Sequence, residues 1–216
     1  MRFDNDLRET IRARLAGFER KRRDDTASLK QAAVAICVAL RQDPADDWGG
    51  PDDAAFLLTR RAPKLRAHSG QLALPGGRVD PGETIEQTAL RELDEELGVS
   101  LGGDAVLGHL DPYPTRSGYL ISPIVVWTPR DTVVRPNPAE VDRLYRIPLS
   151  ELRRPDSPEI FNIPESDRPV IRLPIPLMNT EINAPTAAML YQFREVALED
   201  RATRVDHFDQ PVFAWR

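Results

Sequence analysis

The stretch GRVDPGETIEQTALRELDEELGV, residues 77–99, places three glutamates and an arginine close together on one predicted helix. The apolar spacing predicts that this helix runs from Thr84 to Leu97. Glu92, Glu95 and Glu96 stand at positions i, i+3 and i+4, so their side chains project from one face. Like charges at these spacings destabilise a helix, which predicts that solvent, an arginine or a cation compensates.

The same stretch favours a ligand site over its alternative, an ordinary solvated acidic face. Leu90, Leu93 and Leu97 form a second face suited to the core. LPGG, residues 74–77, supplies a turn whose backbone can approach a ligand closely. Clustered carboxylates suit Mg²⁺, which prefers oxygen ligands and is usually held by a few carboxylates together with substrate phosphates. The stretch therefore predicts a magnesium platform beside a diphosphate-binding turn.

Composition restricts the class of partner and the compartment. The 216 residues are 41% hydrophobic and 29% charged, as in an ordinary globular domain, and the net charge of −5 argues against a broad nucleic-acid surface. The single cysteine, Cys37, lies in an apolar run and is predicted to be buried. One thiol forms no internal disulfide, and neither a secretory h-region nor an apolar run of about 18 residues is visible. We therefore expect a cytoplasmic protein that does not cross a membrane.

The remaining pattern predicts strands around the acidic helix and a helix near each end. Apolar residues at helical spacing predict a first helix over residues 3–22. Thirteen of the 20 prolines lie between residues 112 and 176, which predicts short strands, edges and rigid loops there. The predicted strands cover 31–42, 54–61, 72–74, 105–111, 118–128 and 140–149, and the closing helix covers 185–198. The first two strands should form a hairpin with a long loop.

These elements predict one α+β or α/β/α domain with additional terminal helices. An N-terminal helical segment, residues 1–30, should pack on a single domain of residues 31–216 that includes the closing helix. A homodimer formed through the terminal helices is possible in such an arrangement.

Residues 77–99 resemble a complete Nudix box: Gly, five residues, Glu, seven residues, and then Arg-Glu-apolar-x-Glu-Glu-x-Gly-apolar. Nine constrained positions at fixed spacing make this a specific signal. The matching residues are Gly77, Glu83, Arg91, Glu92, Leu93, Glu95, Glu96, Gly98 and Val99. The resemblance implies an α/β/α sandwich around a mixed sheet and hydrolysis of a nucleoside diphosphate linked to another moiety.

The resemblance also implies a metal site. Glu92, Glu95 and Glu96 correspond to the ligands of Mg²⁺ or Mn²⁺, and the backbone carbonyl of Gly76 or Gly77 often joins them. Such an ion neutralises phosphate oxygens and helps to activate the attacking water.

Supporting roles follow from the same resemblance. Arg91 corresponds to the residue that orients a carboxylate ligand and offsets the repulsion among the glutamates. Glu83 corresponds to an indirect, water-mediated or helix-orienting group, with a simple capping acid as the alternative. The general base is either Glu95 or Glu140, which stands outside the box in the segment NPAEV.

The flanking segment LLTRRAPKLRAHSGQLALPGG, residues 57–77, bears on the substrate. Its four cations suit an anionic ligand. The segment is similar to the additional motif of the coenzyme A pyrophosphatase branch, and TAAML, residues 186–190, resembles a helix of that branch. The matching residues are Leu57, Leu58, Thr59, Arg61, Leu65, Arg66, His68, Gly70, Gln71, Pro75, Gly76 and Gly77. Among them the resemblance implies substrate contacts by Arg61, Arg66, His68, Gln71, Gly76 and Gly77.

Several positions depart from that branch. Ala62 replaces a usual serine, Leu74 replaces a usual phenylalanine, and INAP, residues 182–185, lacks an aromatic-glycine pair. The box also has standard spacing, whereas many members of the branch carry one extra residue. His68 either contacts a substrate phosphate or holds the loop in place.

Together these features predict a metal-dependent diphosphatase that acts on a small nucleoside diphosphate substrate and on neither nucleic acid nor membranes. The expected substrate is coenzyme A or an acyl-coenzyme A, cleaved to 4′-phosphopantetheine and adenosine 3′,5′-bisphosphate. The first alternative is the same chemistry on an ADP-sugar, a dinucleoside polyphosphate or an oxidised nucleotide. The second is a Nudix-fold sensor that binds a nucleotide without hydrolysing it.

Overall fold

The computed structural model describes residues 1–21, 29–42, 48–63 and 70–212. Within these ranges the chain forms a mixed sheet of eight strands, β1–β8, a second antiparallel sheet, β9–β11, and three α-helices. The helices are α1 (Asn5–Gly17), α2 (Ile85–Leu97) and α3 (Thr186–Phe193). The strands are β1 (Lys30–Leu40), β2 (Ala54–Arg61), β3 (Leu72–Ala73), β4 (Gly76–Arg78), β5 (Val106–His109), β6 (Tyr113–Pro114), β7 (Tyr119–Trp127), β8 (Val141–Pro148), β9 (Glu159–Ile163), β10 (Ser166–Ile175) and β11 (Thr180–Asn183).

Strand β1 lies at the centre of the large sheet and has two neighbours along one of its edges. It runs parallel to β7 along the other edge. Its C-terminal end pairs with β2 in the predicted hairpin, whereas residues 32–34 pair antiparallel with the short glycine strand β4. This division of one edge between β2 and β4 places the glycine turn at the middle of the sheet.

The two faces of β1 belong to different hydrophobic layers, as strand alternation requires. Ala33, Ala35 and Cys37 face α2 and pack with Leu93 and Leu97 of that helix. Small side chains on β1 allow the helix to lie close to the sheet. Cys37 is fully buried, as predicted, and burial raises the pKa of its thiol to about 12.

The opposite face of the sheet is covered by α1, α3 and the second sheet. Ile36 and Val38 of β1 pack there with Ile11 and Leu15 of α1 and Phe193 of α3. Helices therefore lie on both faces of a mixed sheet, and the predicted α/β/α sandwich is confirmed. Within the described ranges, no helix has both the length and the apolar character that crossing a bilayer requires.

Helix α1 is shorter than the predicted 3–22. Asp4 caps its N-terminus through a hydrogen bond from the Leu7 amide, and the helix ends at Gly17. Beyond it the Lys21 amide donates a hydrogen bond of 2.7 Å to buried Asp111, which competes with a further helical turn. The last residue of the predicted helix, residue 22, lies outside the described residues.

The second sheet was not predicted, because its central strand β10 contains two prolines. Pro169 lies at the irregularity between Ser166 and Val170, where the ladder is interrupted. Pro174 lies beyond the last pair with β9 and pairs only with β11. Neither proline therefore lies where β10 is paired on both sides. The closing helix was predicted over 185–198; it begins at Thr186 and ends in a π-helical turn, Arg194–Leu198.

Candidate active site

Gly76 and Gly77 form the point where the sheet meets the acidic helix. A Cβ atom on Gly77 would overlap the carboxylate of Glu92. A Cβ atom on Gly76 would overlap the backbone of Ala33 and Val34 in β1. Only glycine allows β4 to lie directly against both neighbours, which explains the paired glycines in physical terms.

Both ends of α2 are defined by local hydrogen bonds. Thr84 and Gln87 form a reciprocal capping box at the N-terminus. Gly98 ends the helix in the left-handed conformation at φ 62°, and a side chain there would also crowd Arg135. The helix bearing the glutamates is therefore held at a fixed length and position.

The three glutamates of α2 differ sharply in exposure, although they lie at neighbouring positions. The exposed fraction of the side chain is 52% for Glu95, 12% for Glu92 and 4% for Glu96. Glu96 is the member that turns furthest toward the sheet, and its neighbour Leu97 is in the core. The acidic face therefore extends from solvent into the core. An ordinary solvated acidic face, the alternative to a ligand site, would expose all three glutamates.

Arg91 connects the glutamates. Its Nη1 donates hydrogen bonds of 2.9 Å to both Glu92 and Glu95, and its Nε donates one of 2.8 Å to Glu83. Its Nη2 reaches the backbone carbonyl of Arg78 at 3.1 Å. One guanidinium thus offsets three carboxylates and ties the helix to the end of β4.

Both oxygens of the Glu83 carboxylate accept hydrogen bonds. Besides Arg91, the Thr88 hydroxyl donates to it at 2.8 Å and the Asp80 amide at 3.2 Å. These hydrogen bonds, with those from Arg91 first, lower the pKa of Glu83 to about 2. Glu83 therefore fixes the position of Arg91 and of the turn before α2, which suits an indirect role at the predicted metal site.

Glu96 and Glu92 carry poorly compensated charge. Burial raises the pKa of Glu96 to about 7; the nearby charges of Glu92 and Glu140 add to this rise, and Arg61, 3.8 Å away, opposes it. Burial also raises the pKa of Glu92, against the effect of Arg91. Together these carboxylates bring more negative charge into the site than Arg61 and Arg91 neutralise.

Glu140 is brought to the site by a loop that docks on the end of α2. The Asn137 amide donates a hydrogen bond of 2.8 Å to the carbonyl of Glu96, and the Ala62 amide donates one of 2.8 Å to the carbonyl of Glu140. In the described part of the chain, the Glu140 carboxylate has no hydrogen bond or ion pair. Sequence reasoning named Glu140 but missed the loop contacts, for which the sequence offers no local signal.

The cations of the flanking segment separate onto different faces. Arg60 and Arg61 end β2 and point to opposite sides. Arg60 pairs with Asp142 at 2.5 Å, away from the glutamates, whereas Arg61 approaches Glu96. Arg66 and His68 fall within residues 64–69, outside the described residues.

A cavity of about 630 Å³ opens beside the glycine turn. Its floor is the face of the large sheet, and β11 and the start of α3 form further walls. Four of the residues that were predicted to contact the substrate line this cavity: Arg61, Gln71, Gly76 and Gly77. Leu72, Leu74, Ile121 and Met189 add apolar surface, and Arg78 and Tyr119 add polar groups that sequence reasoning missed.

The donor set at this site fits a hard divalent cation. Glu92, Glu95, Glu96 and Glu140 supply oxygen ligands of the kind that Mg²⁺ and Mn²⁺ take, and a cation would stabilise buried Glu96 in its charged form. Among the described residues, no three acidic, histidine or cysteine side chains converge closely enough to hold a metal ion. Arg91 Nη1 donates a hydrogen bond to one oxygen of Glu92 and one oxygen of Glu95 at this site.

Comparison with known proteins places these features in a family. Residues 30–172, more than half of the chain, match the family model described as NUDIX domain. A protein named "Uncharacterized Nudix hydrolase NudL" from Photorhabdus laumondii is 47% identical over 56% of this chain and 60% of its own length. A protein of the same name from Yersinia enterocolitica is 38% identical over 60% of this chain and 62% of its own length.

The chain thus matches about 60% of the length of these curated relatives. Among solved structures, the MutT protein from Methanosarcina mazei Go1 is 22% identical, with a TM-score of 0.42, and the match covers 57% of this chain and 79% of that chain.

Proposed function

We propose a hydrolytic function from one premise: this chain belongs to the NUDIX domain family. The proposed reaction is divalent-metal-dependent hydrolysis of a pyrophosphate bond in a small nucleoside diphosphate derivative. The proposed substrate is coenzyme A or an acyl-coenzyme A. The names of the relatives, Nudix hydrolases, support hydrolysis, and the motif over residues 57–77 supports coenzyme A.

One observation carries the proposal: a buried carboxylate, Glu96, lies beneath a glycine turn beside Glu92 and Glu140, with Arg61 as its one ion-pair partner among the described residues. A buried charge without a full counter-charge costs stability and is typical of functional sites. A divalent cation would offset it. This argues for a metal-dependent enzyme over a sensor, which does not need the whole acidic set.

Glu92, Glu95 and Glu96 would hold the metal together with the backbone carbonyl of Gly76, and Glu83 would act indirectly by holding Arg91. When bound, the cation offsets the charge of the phosphate oxygens and acidifies a water molecule. Mg²⁺ and Mn²⁺ both suit these ligands.

The chain's own groups would perform the remaining steps. Glu140 is the preferred general base, since its carboxylate is unpaired within the described ranges, whereas Glu95 accepts a hydrogen bond from Arg91. Arg91 would keep Glu92 and Glu95 in position. The Gly76–Gly77 backbone would allow the diphosphate to approach closely.

Substrate binding would involve the cations and polar groups before the turn. Arg61 and Arg66 would donate hydrogen bonds to phosphate oxygens, and His68 and Gln71 would contact the substrate beside Gly76 and Gly77. The division of the chain at residue 30, a cytoplasmic location and a homodimer are part of the same proposal.

A panel of diphosphates tests the proposal. The purified chain is incubated with Mg²⁺ and, separately, coenzyme A, acetyl-coenzyme A, ADP-ribose, diadenosine tetraphosphate and an oxidised nucleotide, and the products are resolved by chromatography. We expect release of adenosine 3′,5′-bisphosphate from coenzyme A. Cleavage of another member alone would reassign the substrate, and binding without cleavage would favour a sensor.

A further inference from the structure

A second positively charged group lies beside the glycine turn, and the proposed reaction does not use it. It consists of Arg78, Tyr119 and Lys30, here called the Arg78 cluster. The guanidinium carbon of Arg78 lies 5.3 Å from the centroid of the Tyr119 ring, and Arg78 Nη2 donates a hydrogen bond to the Tyr119 hydroxyl. Lys30 Nζ lies 5.8 Å from the same centroid.

Strand register brings the Arg78 cluster to one face of the sheet. Lys30 of β1 stands opposite Tyr119 of β7, and Ala32 of β1 stands between Arg78 of β4 and Ile121 of β7. Because directly opposite residues project to the same face, all five share it. Ala32 carries only a methyl group, so the Arg78 side chain can cross β1 to reach Tyr119.

This face is the floor of the cavity beside the glycine turn. Arg78, Tyr119, Ala32 and Ile121 all line the cavity. Arg78 follows Gly77 directly and projects to the cavity side, whereas Gly77 faces Glu92 on α2. The cluster therefore borders the space that a substrate held at the glycine turn would occupy.

Carboxylates of the described residues do not neutralise the positive charge of the Arg78 cluster. Across the described ranges, neither Arg78 nor Lys30 forms an ion pair with a carboxylate. The acidic side chain that lines the cavity, Glu181, is held by Arg172 at 2.8 Å. Arg78, which lines the cavity, and Lys30, which projects from the same face of the sheet, are suited to an anionic group of a ligand.

We propose that the Arg78 cluster binds a phosphate monoester on the ribose of the nucleotide half of the substrate. The inference rests on the proposed function, under which this group is the 3′-phosphate of coenzyme A. Arg78 lies two residues from Gly76, about 7 Å along the strand. That spacing is comparable with the separation of two phosphates carried on the 5′ and 3′ oxygens of one ribose.

In this arrangement the Arg78 guanidinium donates to the phosphate oxygens, Lys30 adds a second positive charge, and the Tyr119 hydroxyl keeps Arg78 extended over Ala32. Substrates that lack the ribose phosphate would leave these donors without an acceptor. The cluster would therefore determine specificity for phosphorylated nucleotides over AMP or ADP derivatives.

Calorimetric binding of nucleotides to the full chain in the presence of Mg²⁺ tests the inference. We expect adenosine 3′,5′-bisphosphate to bind at least tenfold more tightly than AMP, the effect of one charge-assisted hydrogen bond. Arg78→Gln should reduce this preference to less than threefold, and Arg78→Lys should retain part of it. Arg12→Gln, which removes the same charge from α1, outside the lining of the cavity, is the matched control and should keep the full preference. Thermal unfolding checks that each variant is folded.

Adenosine 2′,5′-bisphosphate forms a second arm of the experiment. Weaker binding than that of the 3′,5′ isomer would assign the site to a 3′-phosphate, and equal binding would assign it to ribose phosphates in general. Equal affinity of the wild type for AMP and the 3′,5′-bisphosphate, or no measurable binding of either, would overturn the inference. A preference that survives Arg78→Gln would overturn it as well.

Failure of the proposed function would look different. In that case neither coenzyme A nor dephospho-coenzyme A would be hydrolysed, while the nucleotide affinities would still report on the Arg78 cluster. If both are hydrolysed, the ratio of their kcat/KM values should fall in Arg78→Gln in parallel with the binding preference. An unchanged ratio would count against the inference while leaving the proposed hydrolysis intact.

Discussion

Buried glutamates have opposite surroundings in the C-terminal turn and in the acidic helix. In the C-terminal turn, Glu195 accepts hydrogen bonds from Arg194 at 2.9 Å, from Arg201 at 2.6 and 2.7 Å, and from Thr203 at 3.2 Å. These partners, Arg201 first, lower the pKa of Glu195. The negative charge is fully compensated within the chain.

In the acidic helix the balance is reversed. Among the described residues, Glu96 has one ion-pair partner, Arg61, at 3.8 Å and two nearby carboxylates, Glu92 and Glu140, and burial raises its pKa to about 7. The exposed fractions of the Glu195 and Glu96 side chains are 6% and 4%, so both carboxylates are shielded from solvent. At Glu195 the hydrogen bonds from Arg201 and Arg194 outweigh the effect of burial on the pKa, whereas at Glu96 burial outweighs the effect of Arg61.

This contrast separates two uses of a buried acid. The negative charge of an acid that holds elements together is neutralised by arginines of the chain. The negative charge of an acid that binds a cation from solution is only partly neutralised by the chain. The following changes test this difference.

The largest effect is expected for Glu96→Gln. It removes one carboxylate from the proposed metal site, and kcat for coenzyme A should fall about a thousandfold, roughly 4 kcal/mol of transition-state stabilisation. The fold should stay intact because an uncompensated buried charge is removed. Steady-state kinetics and urea unfolding measure the two effects, and full activity in this variant would refute the metal assignment.

A pH effect on stability should follow from the raised pKa of Glu96. Because its folded pKa of about 7 lies above the ordinary value of 4.5, folding favours the protonated form. In metal-free protein this contribution is complete below about pH 4.5 and is lost as the pH rises through 7, on the order of 3 kcal/mol. Urea unfolding of the wild type and Glu96→Gln across pH 4.5–8 measures it as a difference. A difference that does not vary with pH would contradict the prediction.

Asp209 should show the opposite dependence. Its pKa is lowered to about 2, against the effect of burial, by hydrogen bonds from Arg116 and Ser166. Its contribution to stability is therefore present above about pH 4 and is lost as the pH falls toward 2. Comparison of Asp209→Asn with the wild type in the same unfolding experiment, extended to low pH, would show this loss.

Glu140→Gln should lower kcat about a hundredfold if Glu140 is the general base. The acidic limb of the pH–rate profile should also flatten, since the group that must be deprotonated is gone. Glu165→Gln, an exposed glutamate between β9 and β10, is the control and should leave both unchanged. An acidic limb that persists in Glu140→Gln would transfer the role of base to Glu95.

Glu195→Gln should have the smallest effect on catalysis. It should nevertheless lower the stability of the fold. Arg194 and Arg201 would lose their carboxylate, at a cost of about 2 kcal/mol, which is less than for a fully buried pair because Arg201 is half exposed. The kcat for coenzyme A should remain unchanged. A loss of activity without loss of stability would show that the two acids do not differ in the way proposed.

The sequence was sufficient to predict the features that depend on local spacing. The helix that carries Glu92, Glu95 and Glu96, its end at Gly98, and the layered fold all follow from periodicity over a few turns. Cys37 was predicted to be buried from the apolar run around it, and it is. These features need no knowledge of distant contacts.

Features that depend on distant contacts were not predictable. Spacing places the three glutamates on one face, but only the packing of α2 against β1 decides that Glu96 is buried and Glu95 exposed. The position of Glu140 depends on the loop hydrogen bond from Asn137 to the end of α2. Likewise, β1 separates Arg78 from Tyr119, and only the register of three strands brings these side chains together.

The end of α1 and the second sheet show the same limit. Gly17 gave a weak local signal, but the competing partner of the following segment, Asp111, lies about ninety residues away. Pro169 and Pro174 disfavour a central strand, and only the staggered pairing of β9 and β11 along β10 makes both acceptable.

Binding of Mn²⁺, followed through the electron paramagnetic resonance signal of the free ion, tests whether Glu96 belongs to a metal site. The wild type should bind Mn²⁺, Glu96→Gln should bind it at least tenfold more weakly, and Glu195→Gln should match the wild type. If Glu96→Gln binds Mn²⁺ as tightly as the wild type, the under-compensated acids of α2 are not a metal site.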